Sequence, residues 1–170
     1  VDEQRGEVET LFGTIHKASV LNVIPPQRAG IITERAGVAD ASGWVPVHPD
    51  GFESSQVKDI YVLGDATIAA PMPKSGFVAN VQGRMAAGVI AADLIGQPRP
   101  KPTYANTCYS LVAPGYAISV SGLYEAKDDQ LVELPGLGTS PLDADSAYRA
   151  QEASNSMGWY ESISTEIWDQ

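Results

Sequence analysis

The sequence predicts an α/β chain in which a central strand, turn and helix are followed, beyond a proline-rich connector, by a separate α+β unit. Three observations carry that prediction. The apolar run Ile60-Tyr61-Val62-Leu63 ends in Gly64-Asp65-Ala66, the pattern of a short buried strand running into a turn. Pro71-Met72-Pro73-Lys74-Ser75-Gly76 leads into a stretch rich in Ala and Gly, in which Asn80, Gln82, Arg84 and Asp93 break the apolar character as in a water-soluble helix. Gly96-Gln97-Pro98-Arg99-Pro100-Lys101-Pro102 alternates proline with other residues, which favours an extended chain, excludes helix and puts a boundary there.

Taken in order, residues 6–10 and 14–24 read as strands separated by a turn at Phe12-Gly13. Within the second, Val20-Leu21-Asn22-Val23-Ile24 is apolar enough for a buried strand, and Pro25-Pro26 stops it. Residues 27–36 read as a short helix ended by Gly37, and residues 44–47 as an extended segment. The long helix is expected to start at Ser75 or Gly76 and run to about Ile95. Ala79, Gly83, Ala86, Ala87, Ala91 and Ala92 give it small faces that permit close packing. After the connector, residues 107–112 and 116–124 read as an antiparallel pair joined at Ala113-Pro114-Gly115, with residues 130–134 as a third strand. Residues 135–141 form a loop, after which Asp143 or Asp145 caps a helix to about Ile167. The expected division is 1–52, 53–97, a linker at 98–102, and 103–170.

A formal charge of -10 argues against nucleic acid and against an anionic membrane surface, both of which require clustered Lys and Arg. The carboxylates are scattered, which suits a solvated surface and also a basic partner. No window of about eighteen continuous apolar residues occurs, so no membrane span is expected. A single cysteine closes no disulfide within one copy of the chain. Cys108, His16 and His48 do not have the spacing of a zinc or iron–sulfur site, and no metal is expected. Either histidine needs a placed partner to act and reads first as a structural or surface residue.

The chemistry concentrates around two segments. A carboxylate at the end of a buried strand stands where open α/β sheets bind ligands, and Gly64 lets a ligand approach the backbone. Asp65 can accept hydrogen bonds from a sugar-alcohol hydroxyl, although a Gly-Asp pair by itself mostly makes a turn. The helix start at Ser75 and Gly76 presents free N–H groups and a positive dipole end, suited to an anionic ring. Lys74 reads equally as a positive charge near that ring or as a solvated surface group. Cys108, out of context, reads as a small buried hydrophobe.

Together, residues 57–88 resemble the second FAD-binding motif of the pyridine nucleotide-disulfide oxidoreductase class. Within that class Ile24-Pro25-Pro26-Gln27-Arg28-Ala29-Gly30, Pro71 through Gly76, and Asn106-Thr107-Cys108-Tyr109-Ser110 are similar to the flavoprotein subunit of flavocytochrome c sulfide dehydrogenase. The resemblance implies a partial FAD/NAD-binding fold of two dinucleotide domains, followed by an α+β C-terminal domain. It implies an FAD cofactor held by Gly64, Asp65, Ala66, Lys74, Ser75 and Gly76. It makes Cys108 one of two cysteines forming a redox-active disulfide against the flavin, a cytochrome c haem subunit the electron acceptor, and the periplasm the compartment. Trp159 corresponds to an aromatic position near the flavin and the haem face, and is the electron-transfer candidate. It reads first, with Tyr160 and Trp168, as the apolar side of a terminal helix, since large aromatics commonly anchor cores and interfaces.

No G-x-G-x-x-G follows any strand, and the family's first FAD-binding segment and second cysteine have no counterpart here. The chain is therefore expected to be a C-terminal fragment, inactive alone and probing for its missing N-terminal part or for a second copy through uncovered apolar surface. Two alternatives stay open. One is a sulfide:quinone oxidoreductase-like flavoenzyme, disfavoured because residues 143–170 are acidic and poor in Lys and Arg, unlike a membrane-surface helix. The other is a non-catalytic, self-associating module.

Overall fold

A computed structural model describes residues 1–168; the last two positions of the acidic C-terminal stretch, Asp169 and Gln170, lie outside the described residues. Strands β1 (Glu7–Glu9) and β2 (Ile15–Lys17) form an antiparallel ribbon, with Val8 opposite His16. Helix α1 covers Ile31–Arg35. Strand β3 (Val45–Pro46) pairs in parallel with β4 (Thr67–Ile68), and a single 3₁₀ turn at Gly64–Ala66 precedes β4. Helix α2 spans Gly76–Leu94 with Ser75 as its N-cap. Beyond the connector come β5 (Thr103–Ala113), β6 (Tyr116–Lys127) and β7 (Gln130–Leu134), an antiparallel sheet in sequence order. Helix α3 (Ser146–Trp168) closes the described chain. The architecture mixes helices with parallel and antiparallel sheets, as expected of an α/β chain.

The sheet β5-β6-β7 positions everything that matters for a site. Side chains alternate across it, so Tyr104, Asn106 and Cys108 share one face while Thr107 and Tyr109 point to the other. On the first face Tyr104 and Tyr124 join Phe52, Met72 and Val78 in the buried core, with Val81 and Met85 of α2 packed against it. Phe52 and Tyr104 meet edge to face at 5.3 Å, and the Tyr104 hydroxyl donates to the Pro49 carbonyl. This core fastens the sheet to α2 and to the loop before it. On the opposite face lies α3, where Ser119 of β6 donates to Glu152 at 2.7 Å.

Gly122 shows how sequence serves this packing. A Cβ there would stand 2.3 Å from the Tyr124 hydroxyl and 3.0 Å from the ring, so only glycine lets the aromatic ring lie along its own strand.

Two expectations fail. Residues 20–24 form no strand, and Val20 and Ile24 are exposed; no neighbouring strand offers the hydrogen bonds an apolar run needs to become one. Residues 60–63 are extended but are not a buried strand. Ser54 N–H donates to the Ile60 carbonyl and Val62 N–H to that of Phe52, giving a single bridge at Tyr61, and Ile60 and Leu63 are exposed. Asp65 therefore follows a short extended arm. The expected helix at 27–36 is confined to Ile31–Arg35. Helix α2, strand β7, and α3 behind Asp145, which accepts from Tyr148 N–H at 2.8 Å, lie where the patterning put them.

Candidate functional site at the start of the long helix

The 3₁₀ turn at Gly64–Ala66 is held by Ala79 and Gln82 of α2 and by Thr67 and Lys74, which precede that helix. Gly64 adopts φ +68°, a conformation L-residues resist, and a Cβ there would meet that of Ala79 at 3.2 Å. Its N–H donates to Oε1 of the buried Gln82 at 2.6 Å, and its carbonyl accepts from Thr67 Oγ1 at 2.8 Å. Lys74 Nζ donates to the carbonyls of Asp65 and Thr67 and sits 3.7 Å above the centre of the Trp44 ring. Burial pushes the Lys74 ammonium below its ordinary value, and the Asp65 charge opposes that shift. Lys74 thus clamps the turn, while the Asp65 carboxylate is exposed and accepts no hydrogen bond among the described residues.

Ser75 begins the helix in extended backbone, and its Oγ accepts from Val78 N–H at 3.1 Å. The same hydroxyl donates to Asn106 Oδ1 at 2.8 Å. Asn106 is 1% exposed. Two residues further along the same face of β5, Cys108 Sγ donates to that same Oδ1 at 3.5 Å. One amide oxygen therefore joins the helix cap to the thiol. Among the described residues no protein acceptor meets the N–H groups of Gly76 and Phe77, so two free donors and the positive end of the α2 dipole face this region.

From the far end, α3 delivers Trp159. Its ring stacks on Phe77 at 5.7 Å between centroids with planes 21° apart, and its tip lies 4.0 Å from where a Gly76 side chain would begin. Arg84 Nε donates to Glu166 Oε1 at 3.0 Å, with a second bond from Arg84 to the same carboxylate, tying the two helices. Between them runs a groove of about 520 Å³ with Val81, Met85 and Ile163 on its walls.

Of the residues expected to form a site, Ser75, Gly76, Cys108 and Trp159 converge on the amino end of α2. Gly64, Asp65, Ala66 and Lys74 lie within one turn of it, through Ala79 and the Lys74 clamp. His16 and His48 stand apart; His48 Nδ1 lies 3.5 Å from Asp129 Oδ1 on the surface. Among the described residues no group of three or more His, Cys, Asp or Glu side chains gathers as a metal would require, and no helix is long and apolar enough to cross a membrane.

Sequence reasoning missed Asn106, Gln82 and Tyr124. Asn106 was legible as the residue that alternates with Tyr104 and Cys108 on the inner face. Gln82 read only as a polar interruption of a helix. Tyr124 is buried beside Gly122, its hydroxyl has no hydrogen-bond partner among the described residues, and burial raises its pKa with help from Glu133 and Cys108.

Two free helix N–H groups, a glycine, and an aromatic stack of Phe77 on Trp159 lie at the amino end of α2, and Ser75 and Asn106 link that end to the half-buried Cys108. Residues 100–168 match the family described as flavocytochrome c sulphide dehydrogenase, flavin-binding. The match covers about two fifths of the chain, and it supports a flavin-binding role of oxidoreductase type for this part. The match contains Asn106, Cys108 and Trp159, whereas the Gly64 turn and the start of α2 precede it.

Proposed function

We propose that this chain forms part of a flavin-dependent sulfide:cytochrome c oxidoreductase in which Cys108 supplies one of the two sulfurs that meet the substrate. The observation that supports this reading most is the hydrogen-bonded chain from Ser75 through Asn106 to Cys108, which joins a sulfur to a helix end with two free donors. Hydrosulfide attacks a disulfide between Cys108 and a second cysteine outside these 170 residues. A bond forms to the attacked sulfur, the S–S bond breaks, and the products are a persulfide on one cysteine and a thiolate on the other. Flavin, when bound, supplies a two-electron acceptor that releases electrons singly.

The chain's own residues bind and orient. Gly76 and Phe77 N–H groups would stabilise negative charge on the ring, a role for fixed dipoles that need no reorganisation. Gly64 allows backbone approach, Asp65 is free to accept from ribitol hydroxyls, and Lys74 keeps the turn open for both. Trp159 stands on the route toward a haem subunit. In this reading residues 1–97 are parts of the FAD/NAD-binding domains, the compartment is the periplasm, and the chain alone is inactive. A second reading, a self-associating module, is favoured by one observation: Leu11, Phe12, Val20 and Ile24 are apolar and exposed.

The test is Cys108→Ser in the flavoprotein that carries this chain, with its flavin content first matched to wild type by visible absorbance. Sulfide-dependent bleaching of the flavin is expected to be lost. Bleaching at the wild-type rate overturns the role given to Cys108.

A further inference from the structure

We propose that Asn106 is a positioning residue: its buried amide oxygen holds the Cys108 thiol and the Ser75 cap hydroxyl together, fixing the sulfur relative to the amino end of α2. The inference rests on the reading of Cys108 given above and names what aims it.

The direction of each bond is set by chemistry. Ser75 Oγ accepts from Val78 N–H, which leaves the hydroxyl proton for Asn106 Oδ1. An amide oxygen has two lone pairs, and the second meets the Cys108 S–H. The amide nitrogen faces the Val120 carbonyl across the strand pair at 3.5 Å, so Oδ1 is the end turned toward helix and thiol. Asn106 has little room to turn away. Directly opposite stands Gly122, and the Tyr124 ring occupies the space a side chain would take there. A polar amide 1% exposed in a strand beside an aromatic core carries a desolvation cost that an apolar residue of similar shape avoids. Its return is a sulfur held in one rotamer, because a half-buried cysteine on a strand otherwise has more than one open to it.

Because the chain contains one cysteine, its S–H stretching band in the Raman spectrum belongs to Cys108 alone. In the full chain that band is expected at the lowered wavenumber of a thiol donating to a carbonyl. Asn106→Leu moves it up to the position of a non-donating thiol, and alkylation of Cys108 by iodoacetamide accelerates about threefold, the scale of one weak hydrogen bond. Asn106→Asp, whose carboxylate still accepts, keeps the band low, and Ser75→Ala leaves it low because Oδ1 still meets the thiol. A purely structural role for Asn106 predicts no such pattern. A wild-type band at the non-donating position overturns the proposal without any variant, as does an unmoved band in Asn106→Leu. Where that variant does not fold, Asn106→Ala is read the same way. None of these measurements uses flavin or sulfide, so their failure leaves the role of Cys108 in sulfide oxidation standing, and failure of that role leaves the Raman pattern intact.

Discussion

Replacing Glu152 by Leu tests the buried ion pair that holds α3 to the sheet. Arg149 and Glu152 are 4% and 5% exposed, and Arg149 donates to Glu152 Oε2 at 3.1 Å. The other carboxylate oxygen accepts from Ser119 and Ser140, while Arg149 also reaches the Pro141 carbonyl and stands over the Tyr116 and Tyr148 rings. Nε of Arg149 has no partner among the described residues even with the pair intact. Glu152→Leu therefore strands a guanidinium that is already short of acceptors, and breaking one side of a buried pair costs about 3–5 kcal/mol. Ser140 keeps the Ser119 carbonyl at 3.1 Å, so the hydroxyls add little to that figure. Against a typical domain stability of about 5–15 kcal/mol the loss is large. Urea unfolding followed by circular dichroism and tryptophan fluorescence measures it. Replacing both partners, Arg149→Met with Glu152→Leu, is expected to recover most of the loss, since an apolar pair of similar volume has no charge to desolvate. A single variant destabilised by less than about 1 kcal/mol refutes the view that this pair anchors α3.

Two further outcomes follow from the same packing. Gly122→Ala drives the Tyr124 ring out of its place over the strand and costs about 1–3 kcal/mol, the range for overpacking a core, read as a lower urea midpoint with an unchanged slope. Acid weakens the fold in a defined direction: burial raises the Glu152 carboxyl, but hydrogen bonds from Ser140, Ser119 and Arg149 outweigh it and hold the group below 4.5. A carboxyl lowered in the folded state contributes stability that is present above its unfolded value and lost as pH falls through the folded one. The urea midpoint is thus expected to be level above about pH 5 and to drop below about pH 4, with a shallower drop in Glu152→Gln.

How far the sequence reveals this depends on whether a local rule or a distant partner decides each element. Helix α2 was legible because Ser75 is a cap residue and its hydroxyl does cap, and β7 because Asp128-Asp129 and Pro135 bracket a short apolar-rich run. Residues 20–24 and 60–63 misled because an apolar run becomes a strand only when a neighbour meets its backbone, and composition does not carry the neighbour. Resemblance singled out Cys108 and Trp159, but not the amide that links Cys108 to the helix cap. Asn106 becomes visible only when period-two alternation puts it between Tyr104 and Cys108, facing α2.

The site depends on two supports placed far apart in the chain. Helix α3 is held at its base by the buried Arg149–Glu152 pair and near its tip by Arg84 and Glu166, and Trp159 lies between them. The outer pair is solvent-exposed and contributes little by itself, so the position of Trp159 against Phe77 and Gly76 is set chiefly by the base. The base also holds Ser119, which β6 places opposite Tyr109, one residue beyond Cys108 on β5. Loosening Glu152 therefore disturbs the aromatic stack and the strand pair that carries the thiol together, although the described hydrogen bonds of Glu152 reach neither Trp159 nor Cys108. A site assembled this way answers to residues on the back of its sheet as much as to those on its face.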